Sequence, residues 1–269
     1  MKNILILGSK GQIGSALTKY LSHNYNITEF DIQNSSQQDL RNKNALDEVL
    51  KNTDFVFFLA FDVGGSTYLK KYQDTKNFID NNIKLMLYTF ESLEKYKTPF
   101  IFASSQMANM SYSNYGLLKS IGEKYTNILN GLLVKFWNVY GLENEEDKFH
   151  VVSDFIKSAK TKGHIQIKTS GQEQRQFLYA DDCCQCLEIL MQKYDSINRS
   201  KNLHITNFKW NKIIEIAEII KNINGCSYSI GSDSDIQLDK RNEPDDFILS
   251  LWQPKTSLQE GIIKIYNQM

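Results

Sequence analysis

The chain has 269 residues with 31 basic and 31 acidic side chains, so its formal net charge is zero. That balance argues against a sequence-independent nucleic-acid binder, which needs a basic face to displace counterions, and against a polybasic membrane-surface protein. Hydrophobic residues make up 41 % and charged residues 23 % of the chain, the mix of an ordinary globular protein with a sizeable core, and no apolar run approaches the roughly 20 residues of a membrane helix.

The first third alternates short apolar runs with helical patterns. Ile4 to Leu7 reads as a buried strand, and Ile13, Ala16, Leu17, Tyr20 and Leu21 follow at helix spacing. Ile27 to Ile32 is the next strand, Ala45 to Leu50 a helix, and Phe55 to Ala60 a central strand. A long helix is predicted from Asp74 to Tyr96, a strand over Phe100 to Ala103, a helix over Tyr112 to Leu129 and a strand over Leu132 to Trp137. Strict alternation implies an α/β chain of the Rossmann type, a doubly wound parallel sheet covered on both faces. After Gly141 the pattern loosens. An acidic loop (Glu143, Glu145, Glu146, Asp147) precedes helices at Val151–Lys160, Asp181–Lys193 and Trp210–Asn222, with short strands at Ile165–Lys168, Leu203–Thr206 and Ser227–Ile230 and a last helix in the tail. Cys183 and Cys186 fall at helical spacing with Leu187 and Leu190, which marks a buried helix face. Adjacent cysteines do not suit one tetrahedral metal, so no metal site is expected. The short apolar run at the N-terminus is no signal-peptide core, and the cytoplasm is the expected compartment.

Gly8-Ser9-Lys10-Gly11-Gln12-Ile13-Gly14 closes the first strand and opens the first helix. Glycines at these positions permit a tight turn, close approach of backbone to a pyrophosphate and close helix–strand packing, while the helix N-terminus faces phosphate with its N–H groups. Asp31 ends the second strand, where a carboxylate binds the ribose hydroxyls of an adenosine. Ile32 and Gln33 follow it in place of an arginine that would accept a 2′-phosphate, which favours NAD over NADP.

Tyr115 and Lys119 stand at i and i+4, on one helix face. A nearby ammonium is expected to lower the phenol pKa from its usual value near 10 and fit Tyr115 for proton exchange near neutrality. Ser104 and Ser105 end the preceding strand, the side on which open α/β sheets bind ligands.

With these motifs the chain resembles the extended short-chain dehydrogenase/reductases of the nucleotide-sugar epimerase, dehydratase and reductase group, nearly end to end. Leu59-Ala60 with Gly64-Gly65-Ser66, Asn82, Asn138-Val139-Tyr140-Gly141, Arg175-Gln176-Phe177-Leu178-Tyr179-Ala180-Asp181-Asp182 and Arg241-Asn242-Glu243-Pro244 resemble family elements. The resemblance implies that Tyr115 exchanges the proton of a sugar hydroxyl, Lys119 holds the nicotinamide ribose, and Ser104, with Ser105 as second choice, assists at the oxygen. It implies a cofactor site of Gly8, Gly11, Gln12, Ile13, Gly14, Asp31, Leu59 and Ala60 with Tyr115 and Lys119. A nucleotide-diphosphate sugar would be held by Asn138, Arg175, Arg241, Gly65 and Ser66. It further implies an NAD-binding domain of residues 1–142 and about 177–206, a smaller C-terminal α/β nucleotide-sugar-binding region of about 143–176 and 207–269, and a homodimer through the helices Asp74–Tyr96 and Tyr112–Leu129.

Departures from the family pattern narrow the reaction. Gln106 and Met107 stand where the family's dehydratases carry an Asp-Glu pair, so elimination is disfavoured. His150-Val151-Val152 resembles the 3,5-epimerase/4-reductase branch, in which a Cys and a His move protons beside a ketone; His150 fits the His, but Gln106 replaces the Cys. The expected activity is therefore epimerisation by transient oxidation of a ring carbon, most simply C4, with 4-keto-sugar reduction as the alternative reaction and non-catalytic dinucleotide binding as the alternative class. The chain is short for the group. Only ten residues lead from Ser105 to Tyr115, which predicts a sugar pocket missing one wall.

Overall fold

A computed structural model describes residues 1–143, 145–235 and 242–269. Strands β1 (Asn3–Leu7), β2 (Asn26–Phe30), β3 (Phe55–Phe58), β4 (Phe100–Ser105), β5 (Leu132–Phe136) and β9 (Leu203–Ile205) form one sheet in the order β2-β1-β3-β4-β5-β9, every pairing parallel. Helices α1 (Gln12–Leu21), α2 (Asp47–Leu50), α3 (Ser66–Tyr72), α4 (Lys76–Tyr96), α5 (Asn114–Ile128) and α7 (Ala180–Gln192) connect and cover these strands. From β1 the chain winds to β2 on one side and then returns to β3 on the other. The sheet therefore reverses its winding between β1 and β3, and a crevice opens at their carboxyl ends.

The strand sequences are apolar on both sides because both faces are buried. Ile4, Ile6, Phe55, Phe57 and Ile101 pack with Leu17 and Leu21 of α1 and with Cys183, Cys186 and Leu187 of α7. Their neighbours Leu5, Leu7, Val56, Phe58 and Phe102 pack with Phe78, Met86 and Phe90 of α4 and Leu118 of α5. Period-two alternation sends successive side chains to the two layers. The cysteine-rich face of α7 is buried as its spacing implied, Cys184 included.

A second body of structure follows β5. Strands β6 (Asn138–Tyr140), β8 (Gln174–Tyr179) and β10 (Trp210–Lys212) form a three-stranded sheet, and β7 (His164–Thr169) pairs with β11 (Ser227–Asp233). Helices α6 (Val151–Lys162), α8 (Ile213–Asn224) and α9 (Leu258–Gln268) close a separate core around Ile156, Phe177, Ile216, Ile220 and Ile262. Residues 210–212, expected as the first turn of a helix, are instead strand β10, paired antiparallel with β8 (Trp210 opposite Gln176), and the helix starts at Ile213. Helix α4 begins two residues later than expected because the Thr75 side chain accepts from Phe78 N and caps it there. Among the described residues no helix is long and apolar enough to cross a membrane.

Candidate active site

A cavity of about 630 Å³ runs over the carboxyl ends of the parallel strands, from Asp31 and Arg41 at one end to Arg175 and Asp235 at the other. All of the candidate side chains and glycines named above line it, except Arg241, which lies outside the described residues.

At the first end the three loop glycines do different things. Gly8 has a positive φ of 84°, and a Cβ there would lie 2.7 Å from the Ala60 backbone. A Cβ on Gly14 would lie 2.0 Å from the Gly8 carbonyl oxygen, so α1 can sit this close to β1 only without one. Gly11 is under no such constraint, its nearest neighbour being 3.4 Å away, and it precedes a helix whose first turn has no side-chain cap. Space at Gly11 and an uncapped helix N-terminus make a cradle that a pyrophosphate fits and a Cβ would fill. Asp31 is fixed by two backbone donors, Lys10 N at 3.0 Å and Gln33 N at 2.9 Å. Sequence reasoning missed Arg41, whose guanidinium pairs with Asp39 at 2.8 Å and Asn81 at 3.2 Å and faces the same end of the cavity. The Arg41 hydrogen bonds hold the Asp39 carboxyl below the usual range. The two-residue spacing of Asp39 and Arg41 was the available signal.

At the centre, Tyr115 and Lys119 project from α5 toward the end of β4. The Ser113 hydroxyl caps this helix by accepting from Gly116 N at 3.2 Å. Lys119 Nζ donates to the Ala103 carbonyl at 2.6 Å and lies 3.8 Å from the centre of the Phe61 ring, which in turn meets Tyr115 edge-on. Phe61 is a second residue the sequence did not mark. The Tyr115 pKa is raised, not lowered as the Lys119 spacing predicts. Burial pushes the phenol up to about 12, offset in part by its hydrogen bond with Ser105, and burial brings Lys119 down to about 7 against the opposing charge of Glu123. The reason is geometric: the ammonium is spent on a carbonyl and an aromatic face, with Lys119 buried and Tyr115 half-buried.

The two serines face different ways, as successive strand residues must. Ser105 bonds Tyr115, and its hydroxyl also accepts from Met107 N at 3.1 Å. Ser104 donates to Glu123 Oε1 at 2.6 Å. Ser105 thus faces Tyr115, whereas Ser104, the first choice from the sequence, is engaged by Glu123.

At the far end, the Asn138 amide donates to the Gln176 carbonyl at 3.3 Å, and Arg175 is ion-paired with Asp235. Gly65 N donates to the Lys148 carbonyl at 3.0 Å, which ties the Gly64-Gly65-Ser66 turn to the acidic loop. Asn82 fixes the same turn from below, accepting from Asp62 N at 2.8 Å. His150 is held twice by one carboxylate: Glu143 Oε2 accepts from its backbone N at 3.0 Å, and Oε1 lies 2.6 Å from Nδ1. In the sequence Glu143 is one acid among several in a loop, with nothing to mark it as the partner of His150. The short link from Ser105 folds as a tight turn, Gln106–Asn109, and Asn242 reaches over it to donate to the Gln106 carbonyl at 2.7 Å. The link is therefore covered at Gln106 by a later segment instead of standing bare.

Residues 4–206 match the model of the NAD dependent epimerase/dehydratase family. The chain belongs to this family, an extended short-chain dehydrogenase/reductase group whose cofactor is NAD. A Methanocaldococcus jannaschii protein named "Putative UDP-glucose 4-epimerase" is 26 % identical over 312 residues, covering 99 % of this chain and 98 % of the relative. Among solved structures, a UDP-glucuronic acid 4-epimerase from Bacillus cereus, in complex with UDP-glucuronic acid and NAD, superposes with a TM-score of 0.84 at 20 % identity, covering 98 % of each chain. A GDP-6-OMe-4-keto-L-xylo-heptose reductase from C. jejuni gives 0.82 at 20 % identity, over 99 % of this chain and 97 % of that one. At such identities the structural likeness is one of fold.

Proposed function

We propose that this protein is an NAD-dependent nucleotide-sugar epimerase that inverts a ring carbon, C4, by transient oxidation. The observation that carries this reading is the placement of Tyr115, Lys119 and Ser105 in the same cavity as the Gly8–Gly14 loop and Asp31, with no carboxylate at Gln106 or Met107. Hydride and proton machinery is present and the elimination pair is not.

In this reading the glycine loop holds the pyrophosphate, Asp31 the adenosine ribose, and Lys119 the nicotinamide ribose. NAD, when bound, supplies a hydride acceptor and a positively charged ring beside Tyr115. Ser105 bonds the sugar hydroxyl and the phenol together and so sets the line of proton transfer. The Tyr115 oxygen takes the hydroxyl proton as the carbon loses hydride, and gives it back when hydride returns to the other face. The keto-sugar must turn over between these steps, for which the far end of the cavity supplies room and Asn138 and Arg175 hold the diphosphate. Arg41 is already neutralised by Asp39, and Lys10 by Glu29 at 2.6 Å, so neither offers the unpaired cation that an NADP 2′-phosphate requires. The six-stranded layer is the cofactor domain in this account, and the body built on β6 to β11 holds the sugar nucleotide.

The cofactor returns to its starting state at each turnover of an epimerase but is consumed by a reductase. Purified protein incubated with UDP-hexoses and UDP-uronic acids is expected to form the 4-epimer without added NADH. Product formation that strictly requires NADH and consumes it one for one makes the enzyme a 4-keto-sugar reductase instead. The protein is also proposed to be a homodimer. Leu117, Ile121 and Ile128 leave an apolar stripe on the outer face of α5, with Ile128 78 % exposed, and Ile83 adds to it from α4. Light scattering is expected to give twice the chain mass of 31.1 kDa, and Ile121→Asp to give the monomer.

A further inference from the structure

Lys119 is only 3 % exposed, yet among the described residues its ammonium has no ion-pair partner. The acid one turn further along α5, Glu123, is taken by Lys135 Nζ at 3.2 Å and by Ser104 Oγ at 2.6 Å. What surrounds Lys119 Nζ is one carbonyl and a set of aromatic rings. The Ala103 oxygen lies at 2.6 Å and the Phe61 ring centre at 3.8 Å, with the Phe102 and Tyr115 ring centres further off at 5.2 Å and 5.9 Å. A ring face is the negative end of an aromatic quadrupole, and it attracts an ammonium most strongly where water is excluded. The close contact of this kind is the one with Phe61.

Phe61 stands just beyond the end of β3, half-buried, and lines the cavity. Its face meets the ammonium and its edge meets Tyr115, with ring centres 5.6 Å apart and planes at 79°. One ring thus touches both members of the proton-transfer pair. The backbone that carries it is clamped to α4: Asp62 N donates to Asn82 Oδ1 at 2.8 Å, and Asn82 Nδ2 donates back to the Asp62 carbonyl at 3.2 Å. Apolar filling alone would be served equally by a leucine at this position, whereas a cation held face-on requires a ring.

We propose that Phe61 is a positioning residue, whose ring face holds the Lys119 ammonium against the Ala103 carbonyl without an anion and so leaves an N–H of that ammonium for the nicotinamide ribose. This role rests on the reading of Lys119 as the group that holds the ribose. An ammonium has three N–H donors. The Ala103 carbonyl takes one, and the ring covers a second side without offering a strong acceptor. A carboxylate in the place of the ring would take the ammonium by a charge-assisted hydrogen bond and compete with the ribose hydroxyls.

The test replaces Phe61 by phenylalanines bearing a graded number of ring fluorines, introduced by amber suppression. Fluorine draws charge from the ring face with little change of shape, so it weakens the cation contact and keeps the packing. NAD affinity, measured by calorimetry, is expected to fall stepwise along the series, by about tenfold at the most fluorinated ring, and Phe61→Leu to fall at least as far. In a Lys119→Met background the same series should be flat, because no cation is left to hold. Should Lys119→Met bind NAD too weakly to measure, the melting midpoint of the cofactor-free protein is read instead: fluorination should lower it with Lys119 present and not in Lys119→Met. A flat series with Lys119 present overturns the proposal, as does an equal stepwise loss in Lys119→Met, since the ring would then act by packing or by touching the cofactor itself. The underlying reading fails separately. If Lys119→Met binds NAD as tightly as the parent, Lys119 does not hold the ribose, whereas weaker binding in Lys119→Met together with a flat fluorine series defeats the role of Phe61 alone.

Discussion

The two ends of the cavity are built on different principles. At the cofactor end the work is done by backbone: a positive φ at Gly8, a helix brought against a carbonyl at Gly14, an open position at Gly11, and a carboxylate at Asp31 fixed by two N–H groups. At the sugar end it is done by side chains held by other side chains, from 7 to 136 residues away in the chain. Ser104 is answered by Glu123, His150 by Glu143, Arg175 by Asp235 and Gln106 by Asn242. Backbone sites are written in local spacing, whereas side-chain sites are decided by what the fold brings opposite.

The sharpest way to separate the two ends is to remove the proposed acid–base group. Tyr115→Phe is expected to reduce turnover by about three orders of magnitude or more, while NAD affinity, measured by calorimetry, stays within about twofold. Loss of both together would mean that the ends are not independent. Within the cofactor end, Gly14→Ala drives a Cβ to 2.0 Å from a carbonyl and is expected to lower unfolding stability by about 2–4 kcal/mol. Gly11→Ala should leave the melting curve unchanged and weaken NAD binding by about tenfold or more, because its Cβ meets ligand space and not protein. Equal effects of the two substitutions would contradict the division of labour among these glycines.

At the sugar end, Ser105→Ala is expected to lower kcat by about 10²-fold, within the range for a lost transition-state hydrogen bond, and Ser104→Ala by only a few-fold. The reverse order would restore Ser104 to the reacting oxygen. The smallest effect concerns stability. The Lys119 pKa is about 7 when folded, against an ordinary 10.5. Between these values the unfolded chain binds the proton and the folded chain does not, so this group lowers stability most at and below pH 7, and the penalty fades as pH rises toward 10.5. Lys119→Met should therefore be more stable than the parent near neutrality, by about 1–3 kcal/mol after the lost Ala103 hydrogen bond is counted, with the gap closing by pH 10. A gap that widens with pH would contradict the assigned direction.

Legibility in the sequence followed the same line. The central sheet could be read from runs such as Ile4–Leu7 and Phe55–Phe58, because strands buried on both faces are apolar without interruption. Strand β10 could not, since Trp210-Asn211-Lys212 has no apolar run and exists through pairing with residues 174–176. Strand β8 was visible only as a motif. In the site, the glycine loop, Asp31 and the Tyr115–Lys119 pair stood at fixed spacings. The ranking of Ser104 and Ser105 depended on Glu123, nearly twenty residues on, and the clamp on His150 on a glutamate that looked like one of several loop acids. The direction of the Tyr115 shift differs from the expectation for a related reason: spacing shows that two groups are neighbours, but not where the ammonium points or how far burial outweighs it.

The central claim is that one carbon loses and regains the same hydrogen within one active site. It is tested most directly by supplying a UDP-hexose deuterated at C4 in ordinary water and following the epimer by NMR and mass spectrometry. Retention of deuterium at C4 of the product, with no added NADH, is the result this account predicts. Replacement of that deuterium by solvent hydrogen would contradict it.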